Sequence, residues 1–580
     1  MKRANYKFHV FAKAIWAAIV LVLWGIIASQ PALGLGYWTP LAQPAPGGVE
    51  LMLLLSDGTV MAQQSSQSSV GTNWFHLIPD SQGNYVNGRW TNDIPGMHET
   101  RTFYASAVLR DGRIFVAGGE YPKGGSQGND AEVYNPYTDQ WTPPISTGGA
   151  APDDSECKTL PNGRVLVSLV GFNPLPAGAN LIFDPGTMSW SQASTNIVYQ
   201  DEASWVKLAD DSILSVDPGG FVLSSERYIP AQSRWVVDAV PPLQLFSPGQ
   251  SGAGTNETGA AFLLPDGGAL FIGGTGKTLI YTPTGNSSPG QWTIGQNIPL
   301  GLVAQDAPSA MMVNGKILCE VSSITNHTPV YFYEYDPAVT NFFATSSPGN
   351  SSVGSSFNVG SDHSYMLDLP DGTVLYSDTF SQLYVYNPNA SPLPVGKPTI
   401  NTVSWNNDGS LHLSGTLFNG ISAGASYGDD AQMDSNYPLV SFTDANNHVY
   451  YGQTHDWSST GVQTGGQIVT TEANVPLPVL NSPGNYSLRV IANGISSDPV
   501  SFTSPSVWVD FTYNFIQNGS YSFPFATLAQ GTNAVPSGGT IAIKGPGINA
   551  TGGAASSPGA TKLVNPMKII AIGGVATIGR

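Results

Sequence analysis

One short turn recurs along this chain of 580 residues. All copies but one have an apolar residue, a variable position, Asp or Asn, and then Gly, and apolar runs flank each copy. Gly adopts the positive φ that a tight turn requires, so each copy predicts a hairpin. The seven copies end at Gly58, Gly112, Gly163, Asp211 (the degenerate copy), Gly267, Gly315 and Gly372. Their spacing of 48 to 57 residues is typical of a β-propeller. We therefore predict an all-β protein with a seven-bladed β-propeller over residues 37–395.

A second recurring feature follows each turn, and it predicts how the ring closes. An apolar or aromatic pair leads to a turn with Pro, and then in most copies to a Trp that begins the fourth strand. The seventh copy lacks this fourth strand. The segment Tyr37 to Pro40 copies the sequence around Trp141, so we expect it to supply the missing strand and protect the edges of the ring.

This double pattern resembles the kelch family, and more closely the propeller of the galactose oxidase and glyoxal oxidase group. The resemblance implies an early-set immunoglobulin-like domain after the propeller, and alternating strands over residues 397–504 agree with it. Residues 505–580 predict a β-rich C-terminal tail, whose order of short strands is similar to the first rungs of a parallel β-helix.

The N-terminus predicts export. Lys2, Arg3 and Lys7 precede an apolar run over residues 15–28, and small residues near position 34 offer a cleavage site. We therefore interpret residues 1–34 as a signal peptide and expect a monomer that is secreted, periplasmic or at the cell surface. Membrane attachment is expected only through an uncleaved signal anchor, because the apolar run is short for a transmembrane helix.

Charge and cysteine content narrow the partners further. The formal net charge of −18 disfavours nucleic acid, whose phosphates such a surface repels. The two cysteines, Cys157 and Cys319, fall in blades three and six. They are therefore expected to be buried thiols, too far apart for a disulfide.

A carboxylate recurs just before the inner strand in five consecutive blades, where residues line the opening of a propeller. We select Asp154, Glu202, Glu257, Asp306 and Asp362, together with Arg101 and Tyr104 ahead of blade two. Three interpretations stay open: carboxylates that bind backbone N–H groups of the adjoining blade, a binding mouth for sugar hydroxyls or Ca²⁺, and a carboxylate pair for glycoside cleavage.

The family resemblance implies a copper site with two tyrosines, two histidines and a cysteine cross-link. In this chain Phe103 takes the place of the radical tyrosine, no cysteine lies near Glu50, and Asp362-His363 replaces Tyr-His. A further histidine has a counterpart in His455. Radical copper chemistry is therefore not expected, although Asp362, His363 and His455 form a candidate altered metal set for copper. The alternative is that His455 caps a surface hairpin and His363 bonds a neighbouring carboxylate.

We expect an extracellular recognition protein that binds a glycan or another cell-surface ligand through the acidic mouth, and we assign no catalytic residue and no required cofactor. The alternative is a galactose oxidase- or glyoxal oxidase-like enzyme with an altered metal site. Copper at that site and calcium at the acidic mouth are the two cofactors that stay open. A purely structural surface protein is the third hypothesis.

Overall fold

The structure of the protein is a computed structural model. It describes residues 35–65, 71–120, 128–152, 155–169, 178–196, 200, 203–217, 223–247, 257–324, 327–424, 435–548, 555–557, 562–563 and 565–579. Strands account for 41% of the chain and helices for 5%, so the all-β prediction is confirmed. The predicted signal peptide at residues 1–34 lies outside the described residues. Among the described residues, no helix has the length and apolar character to cross a membrane.

Seven antiparallel sheets form the predicted propeller. The first strand, β1 (Tyr37–Pro40), belongs to the last blade. Blade one has β2 (Gly48–Leu54), β3 (Val60–Ser65), β4 (Trp74–Ile78) and β5 (Arg89–Thr91). Blade two has β6 (Ala105–Val108), β7 (Ile114–Ala117), β8 (Asp130–Asn135), β9 (Gln140–Trp141) and β10 (Ile145–Ser146). Blade three has β11 (Cys157–Thr159), β12 (Val165–Ser168), β13 (Asn180–Asp184) and β14 (Ser189–Gln192).

The remaining blades repeat this order from the inner strand to the outer strand. Blade four has β15 (Trp205–Lys207), β16 (Ile213–Val216), β17 (Ser225–Ile229) and β18 (Arg234–Val237). Blade five has β19 (Ala261–Leu263), β20 (Ala269–Ile272), β21 (Thr278–Thr282) and β22 (Gln291–Ile294). Blade six has β23 (Ser309–Met311), β24 (Ile317–Ser322), β25 (Val330–Asp336), β26 (Asn341–Ala344) and β27 (Ser356–Phe357). Blade seven has β28 (Tyr365–Asp368), β29 (Val374–Ser377) and β30 (Tyr384–Asn387). Short 3₁₀ turns lie at Pro230–Gln232, Pro299–Gly301, Ser361–His363 and Pro394–Gly396.

The seven predicted turns have one geometry. In each, the N–H of the fourth residue donates to the carbonyl of the first at 2.8 to 3.0 Å. The six glycines have φ between 75° and 87°, and Asp211 in the degenerate copy has a φ of 65°. The local φ requirement therefore sets the repeat, and even the copy without Gly obeys it.

The N-terminal strand closes the ring as predicted. β1 pairs antiparallel with β30, with Trp38 opposite Tyr386. The Trp38 ring packs 4.9 Å from the centroids of Phe332 and Tyr386, and its indole N–H donates to Ser346 O at 2.8 Å. The first and last segments of the propeller are therefore held together by a ladder and an aromatic cluster.

The recurring Trp residues pack between neighbouring blades, as expected. In five blades the indole N–H donates to a backbone carbonyl of the preceding blade, either in its last strand or in the segment that follows its outer strand. These bonds join Trp38 to Ser346, Trp90 to Gln43, Trp141 to Pro95, Trp190 to Ile145, and Trp292 to Ala239. Each ring thus contributes apolar burial and one directional bond to the contact between blades.

A second sheet, residues 399–504, follows the propeller. It contains β31 (Thr399–Trp405), β32 (Leu411–Thr416), β33 (Leu439–Thr443), β34 (Val449–His455), β35 (Val469–Asn474), helix α1 (Leu477–Asn481), β36 (Gly484–Ala492), β37 (Ile495–Ser496) and β38 (Val500–Ser504). The strand order is β31-β32-β35-β34-β33-β36-β37, and β38 pairs with β36, so the sheet is curled. The immunoglobulin-like assignment and the predicted domain boundaries stay predictions.

The C-terminal tail pairs its strands in parallel. It contains β39 (Val507–Val509), helix α2 (Leu528–Ala534), β40 (Thr540–Lys544), β41 (Ala555–Ser557), β42 (Lys568–Ile572) and β43 (Ala576–Ile578). The orders are β39-β40-β42 and β41-β43. Buried Trp508 donates its indole N–H to Leu480 O at 3.2 Å, which fixes the tail to the second sheet.

The second sheet covers one side of the propeller, the turn face, which we define by the seven turns that follow the inner strands. Residues of the second sheet donate hydrogen bonds to the turn face, or accept them from it, at many points. Among these bonds are Thr454 N–H to Ser56 O (3.1 Å), Trp457 N–H to Arg110 O (3.1 Å), Lys207 Nζ to Thr460 O (2.7 Å) and Gln463 Nε2 to Leu264 O (2.5 Å). The opposite side, where the inner strands begin, is called the mouth.

The cysteine prediction is confirmed. Cys157 and Cys319 are both free and buried, on β11 of blade three and β24 of blade six. Burial raises the pKa of each thiol to about 12, so both remain protonated and inert at neutral pH.

Candidate functional site: the propeller mouth

The mouth is formed where inner strands begin, second strands end and third strands begin. Of the carboxylates predicted there, Asp154 and Glu202 lie outside the described residues. Glu257, Asp306 and Asp362 lie ahead of β19, β23 and β28, in three consecutive blades.

A cluster of two carboxylates and one imidazole lies at this edge. One ligand atom each from Glu257, Asp306 and His327 comes within 4.8 Å of the others, and no other trio of His, Cys, Asp or Glu among the described residues meets that limit. His327 Nε2 is 3.6 Å from Glu257 Oε2, and their side chains are 15% and 20% exposed. We call these three residues the Glu-Asp-His cluster.

The backbone of the cluster is fixed by bonds between blades and loops. Asp306 N–H donates to Thr258 O at 3.0 Å, and His327 O accepts from Ser361 N–H at 3.1 Å. Glu257 O accepts from Ser247 N–H at 2.9 Å. Each of the three side chains therefore projects from a residue whose main chain forms a hydrogen bond, although the three come from separate loops.

Asp362 and His363 lie beside the cluster on the Ser361–His363 turn. His363 Nε2 is 3.8 Å from Asp362 Oδ2, and their side chains are 62% and 41% exposed, respectively. Burial raises the pKa of Glu257, the His327 ring opposes this, and the charge of Asp362 adds to the increase. The mouth thus concentrates negative charge from three blades.

Two further carboxylates lie deeper, where second strands end at the mouth. Burial raises the pKa of Asp217, after β16, and of Asp378, after β29, to about 6. On β24, burial also raises the pKa of Glu320 well above its usual range, against the opposing effect of its hydrogen bonds to Tyr376 and Ser364. Acidic groups therefore extend from the rim into the interior, and their charged forms are poorly stabilised there.

Arg101 and Tyr104 are buried and hydrogen-bonded in this arrangement. Arg101 is 1% exposed, forms ion pairs with Asp130 and Glu132, and donates to Gly118 O at 2.7 Å. Tyr104, 2% exposed, donates to Gln63 Oε1 at 2.7 Å. Both were predicted as binding residues, and the structure buries them beneath the mouth because their polar atoms bond within blades one and two.

Two carboxylates outside the predicted set tie neighbouring segments of the propeller together. Glu132 on β8 accepts from the N–H groups of His98 and Glu99 at 2.8 and 3.1 Å. Glu334 on β25 accepts from Gly36 N–H at 3.1 Å and from Tyr386 OH at 2.7 Å. These third-strand acids perform the structural role that was one interpretation of the mouth carboxylates.

The position that the resemblance assigns to copper is closed. Glu50, Gln63, Phe103, Tyr104 and Tyr365 are among the residues that line a cavity of about 10 Å³, which is at the lower limit for a single water molecule. Phe103 has a φ of 51°, and burial raises the pKa of Glu50 to about 7. Phe103 offers no oxygen ligand, so this position lacks the donor set of a radical copper site.

His455 lies away from the mouth. It ends β34, beside the residues that bond the turn face, and its ring is 5.8 Å from that of Tyr137. Its Nδ1 is 2.8 Å from Asp456 Oδ2. The structure therefore brings Asp362 and His363 together, while it places His455, the third member of the predicted metal set, on the opposite face of the propeller.

A wider cleft of about 730 Å³ lies on the turn side beside the linker that follows blade seven. Its charged residues include Lys316, which is 3.4 Å from Glu334 and 3.6 Å from Asp336. The lining also includes Asp266, so one lysine faces three carboxylates and the cleft, like the mouth, carries an excess of negative charge.

His327 was not predicted, because it does not lie just ahead of an inner strand as the selected carboxylates do. It lies in the loop between the second and third strands of blade six. Composition could have indicated this residue. The chain has only 8 histidines, so a histidine in a loop at the mouth is a candidate ligand.

Comparisons with known proteins agree with the fold. Residues 101–144, which span most of blade two, match the Kelch motif, so the kelch resemblance is confirmed there. No curated protein matches the chain.

Two solved structures are similar to parts of this chain. One is described as a novel fungal alcohol oxidase with catalytic diversity among the AA5 family, in complex with copper; it is 14% identical, covers 81% of this chain and 100% of its own, and has a TM-score of 0.47. The other, the structure of YjhT, is 15% identical, covers 60% of this chain and 100% of its own, and has a TM-score of 0.33.

Proposed function

We propose that this protein is an exported recognition protein that binds carbohydrate through the propeller mouth. The observation that carries the proposal is the convergence of Glu257, Asp306 and Asp362 from three consecutive blades at one edge. The second sheet bonds to the turn face at many points, and we therefore assign the ligand to the opposite end of the ring, the mouth.

The chemistry of these side chains suits neutral or amine-bearing sugars. Carboxylate oxygens accept hydrogen bonds from hydroxyl or ammonium groups, and bonds to charged groups are stronger than neutral ones. The exposed imidazole of His363 adds a donor or acceptor at the rim. Sulfated or phosphorylated glycans are disfavoured, because the chain carries a net charge of −18.

The test is a glycan array that contains neutral, amine-bearing and sulfated glycans, followed by calorimetry on the best ligand. We expect Glu257→Gln and Asp362→Asn each to weaken binding by about tenfold or more, since each removes a charge-assisted bond. Asp498→Asn is the control, because its carboxylate is 84% exposed on the second sheet. The proposal fails if no glycan binds, or if both mouth variants bind like the unchanged protein.

The alternative is an oxidase with altered ligands, and a separate assay distinguishes it. Peroxide production from simple alcohols and aldehydes, after incubation with copper, is expected to be absent. Phe103 cannot form a phenoxyl radical, and the residues that line the cavity beside it include no cysteine that could be cross-linked to a tyrosine. Peroxide at catalytic turnover that is lost in His363→Ala would favour the oxidase instead.

A further inference from the structure

We infer that Glu257, Asp306 and His327 form a binding site for a divalent transition-metal ion of the zinc class. The three ligand atoms already lie within 4.8 Å of one another. Tetrahedral ligands at about 2.0–2.1 Å from Zn²⁺ are separated by about 3.3 Å, so small side-chain rotations close the site. The fixed backbone of each residue limits the motion that closure requires.

The imidazole of His327 supplies an independent argument for a cation. Its Nδ1 is buried, and no described residue forms a hydrogen bond with it. Its Nε2 is 3.6 Å from Glu257 Oε2, which is too long for a hydrogen bond. A buried ring nitrogen without a hydrogen bond costs free energy. A metal bound at Nδ1 would give that atom a partner, and a metal bound at Nε2 would join the ring to the Glu257 carboxylate.

The donor set decides the class of metal. Ca²⁺ prefers six to eight oxygen ligands, and an imidazole nitrogen is a poor substitute. Two carboxylates and one histidine match zinc-type coordination, in which three protein ligands leave one position open for water or another ligand. The nearby charge of Asp362, which affects Glu257, increases the attraction for any cation.

The site is separate from the copper position that the family resemblance implies. It uses blades five and six, whereas Phe103 and Glu50 belong to blades one and two. The inference does not rest on carbohydrate binding, because metal binding is measured without any sugar. Failure of one proposal therefore leaves the other to its own experiment.

The experiment uses the full chain, stripped of metal with EDTA and dialysed. Titration calorimetry with Zn²⁺ should show one site per chain, and Co²⁺ should give visible absorption bands that report coordination by nitrogen and oxygen. We expect His327→Gln and Asp306→Asn to weaken Zn²⁺ binding by about 100-fold, because each removes a direct ligand. A large excess of Ca²⁺ should not displace the zinc.

Two controls locate the site. His363→Gln, at the exposed neighbouring histidine, and His448→Gln, on the second sheet, should bind Zn²⁺ like the unchanged protein. Melting temperatures in EDTA show whether each variant folds, and the rise in melting temperature on adding Zn²⁺ should vanish only in the cluster variants. Three outcomes overturn the inference: no stoichiometric zinc, equal affinity in His327→Gln, or a loss in His363→Gln as large as that in His327→Gln.

Discussion

The two faces of the propeller derive from the same seven-fold repeat, but they present opposite surfaces. On the turn face, the repeated hairpins offer backbone carbonyls, and the second sheet binds many of them, with Trp457 and Lys207 buried at the contact. At the mouth, the described loops differ from blade to blade, and Glu257, Asp306 and Asp362 lie near one another there.

The difference shows that one face of a repeat fold can form a constant structural contact while the other face carries variable side chains. The turn sequence is restricted by the φ that its fourth residue must adopt, so all copies look alike and suit a constant structural contact. The mouth loops have no such requirement, so individual blades can carry different functional side chains. Three changes test this division, and we order them by expected effect.

The largest effect is expected from Trp457→Ala, which removes a buried side chain from the contact between the second sheet and the turn face. Trp457 is 2% exposed, stacks on Tyr437 at 4.9 Å, and lies against the blade-two turn. Loss of such a buried indole typically costs about 3–5 kcal/mol. Denaturant unfolding should show this loss, while Zn²⁺ affinity at the mouth remains unchanged in the folded variant.

A control for this change is Phe515→Ala, since Phe515 is 78% exposed. Its unfolding midpoint should hardly move. If Trp457→Ala also leaves the midpoint unchanged, the contact between the second sheet and the turn face does not stabilise the protein as described.

An intermediate effect is expected from Glu50→Gln, and it depends on pH. The folded-state pKa of Glu50 is raised from 4.5 to about 7 by burial, against the opposing bond from Ser65. The folded protein therefore binds this proton more tightly than the unfolded chain. The stabilisation that comes from this raised pKa is complete below about pH 4.5, and it is lost as the pH rises through about 7.

The Gln variant should remove that pH dependence. We expect it to be more stable than the unchanged protein at pH 8 by about 2 kcal/mol, and to lose less stability between pH 5 and pH 8. Thermal or urea unfolding at both pH values measures this. Glu99→Gln, at an exposed glutamate, is the matched control. If the unfolding free energy of Glu50→Gln changed with pH just as it does in the unchanged protein, the raised pKa of Glu50 would be contradicted.

The smallest effect is expected from Gly267→Ala in the blade-five turn. Gly267 has a φ of 87°, and an added Cβ would meet its nearest neighbour, Gln463 Oε1, at an unstrained 3.8 Å. The cost is therefore conformational, about 1–2 kcal/mol. Gly466→Ala, where a Cβ meets nothing within 4 Å, should be nearly neutral. Equal unfolding free energies for the two variants would show that positive φ does not restrict the turn.

Most of the propeller could be predicted because its signals are local. The turn glycines, the Pro turns and the Trp residues each act within a few residues of chain, and their period fixed the number of blades. Closure by Tyr37–Pro40 was also predictable, since the missing strand and its copy have the same sequence pattern.

The site was predictable only in part, for a physical reason. Glu257, Asp306 and Asp362 share one position relative to their turns, so the repeat placed them at one edge. Arg101 has a similar position, and yet Asp130 and Glu132 bury it. The position of a residue along its strand determines the edge of the sheet at which it lies. Packing against neighbouring segments determines whether its side chain is exposed.

The sequence by itself therefore determined the all-β class, the seven blades and the acidic edge, because short-range backbone geometry encodes them. Only the tertiary structure decided that His327 from a separate loop meets Glu257 and Asp306, and that His455 lies on the covered face. Such meetings depend on how distant loops and the second sheet pack together, and no local pattern records that packing.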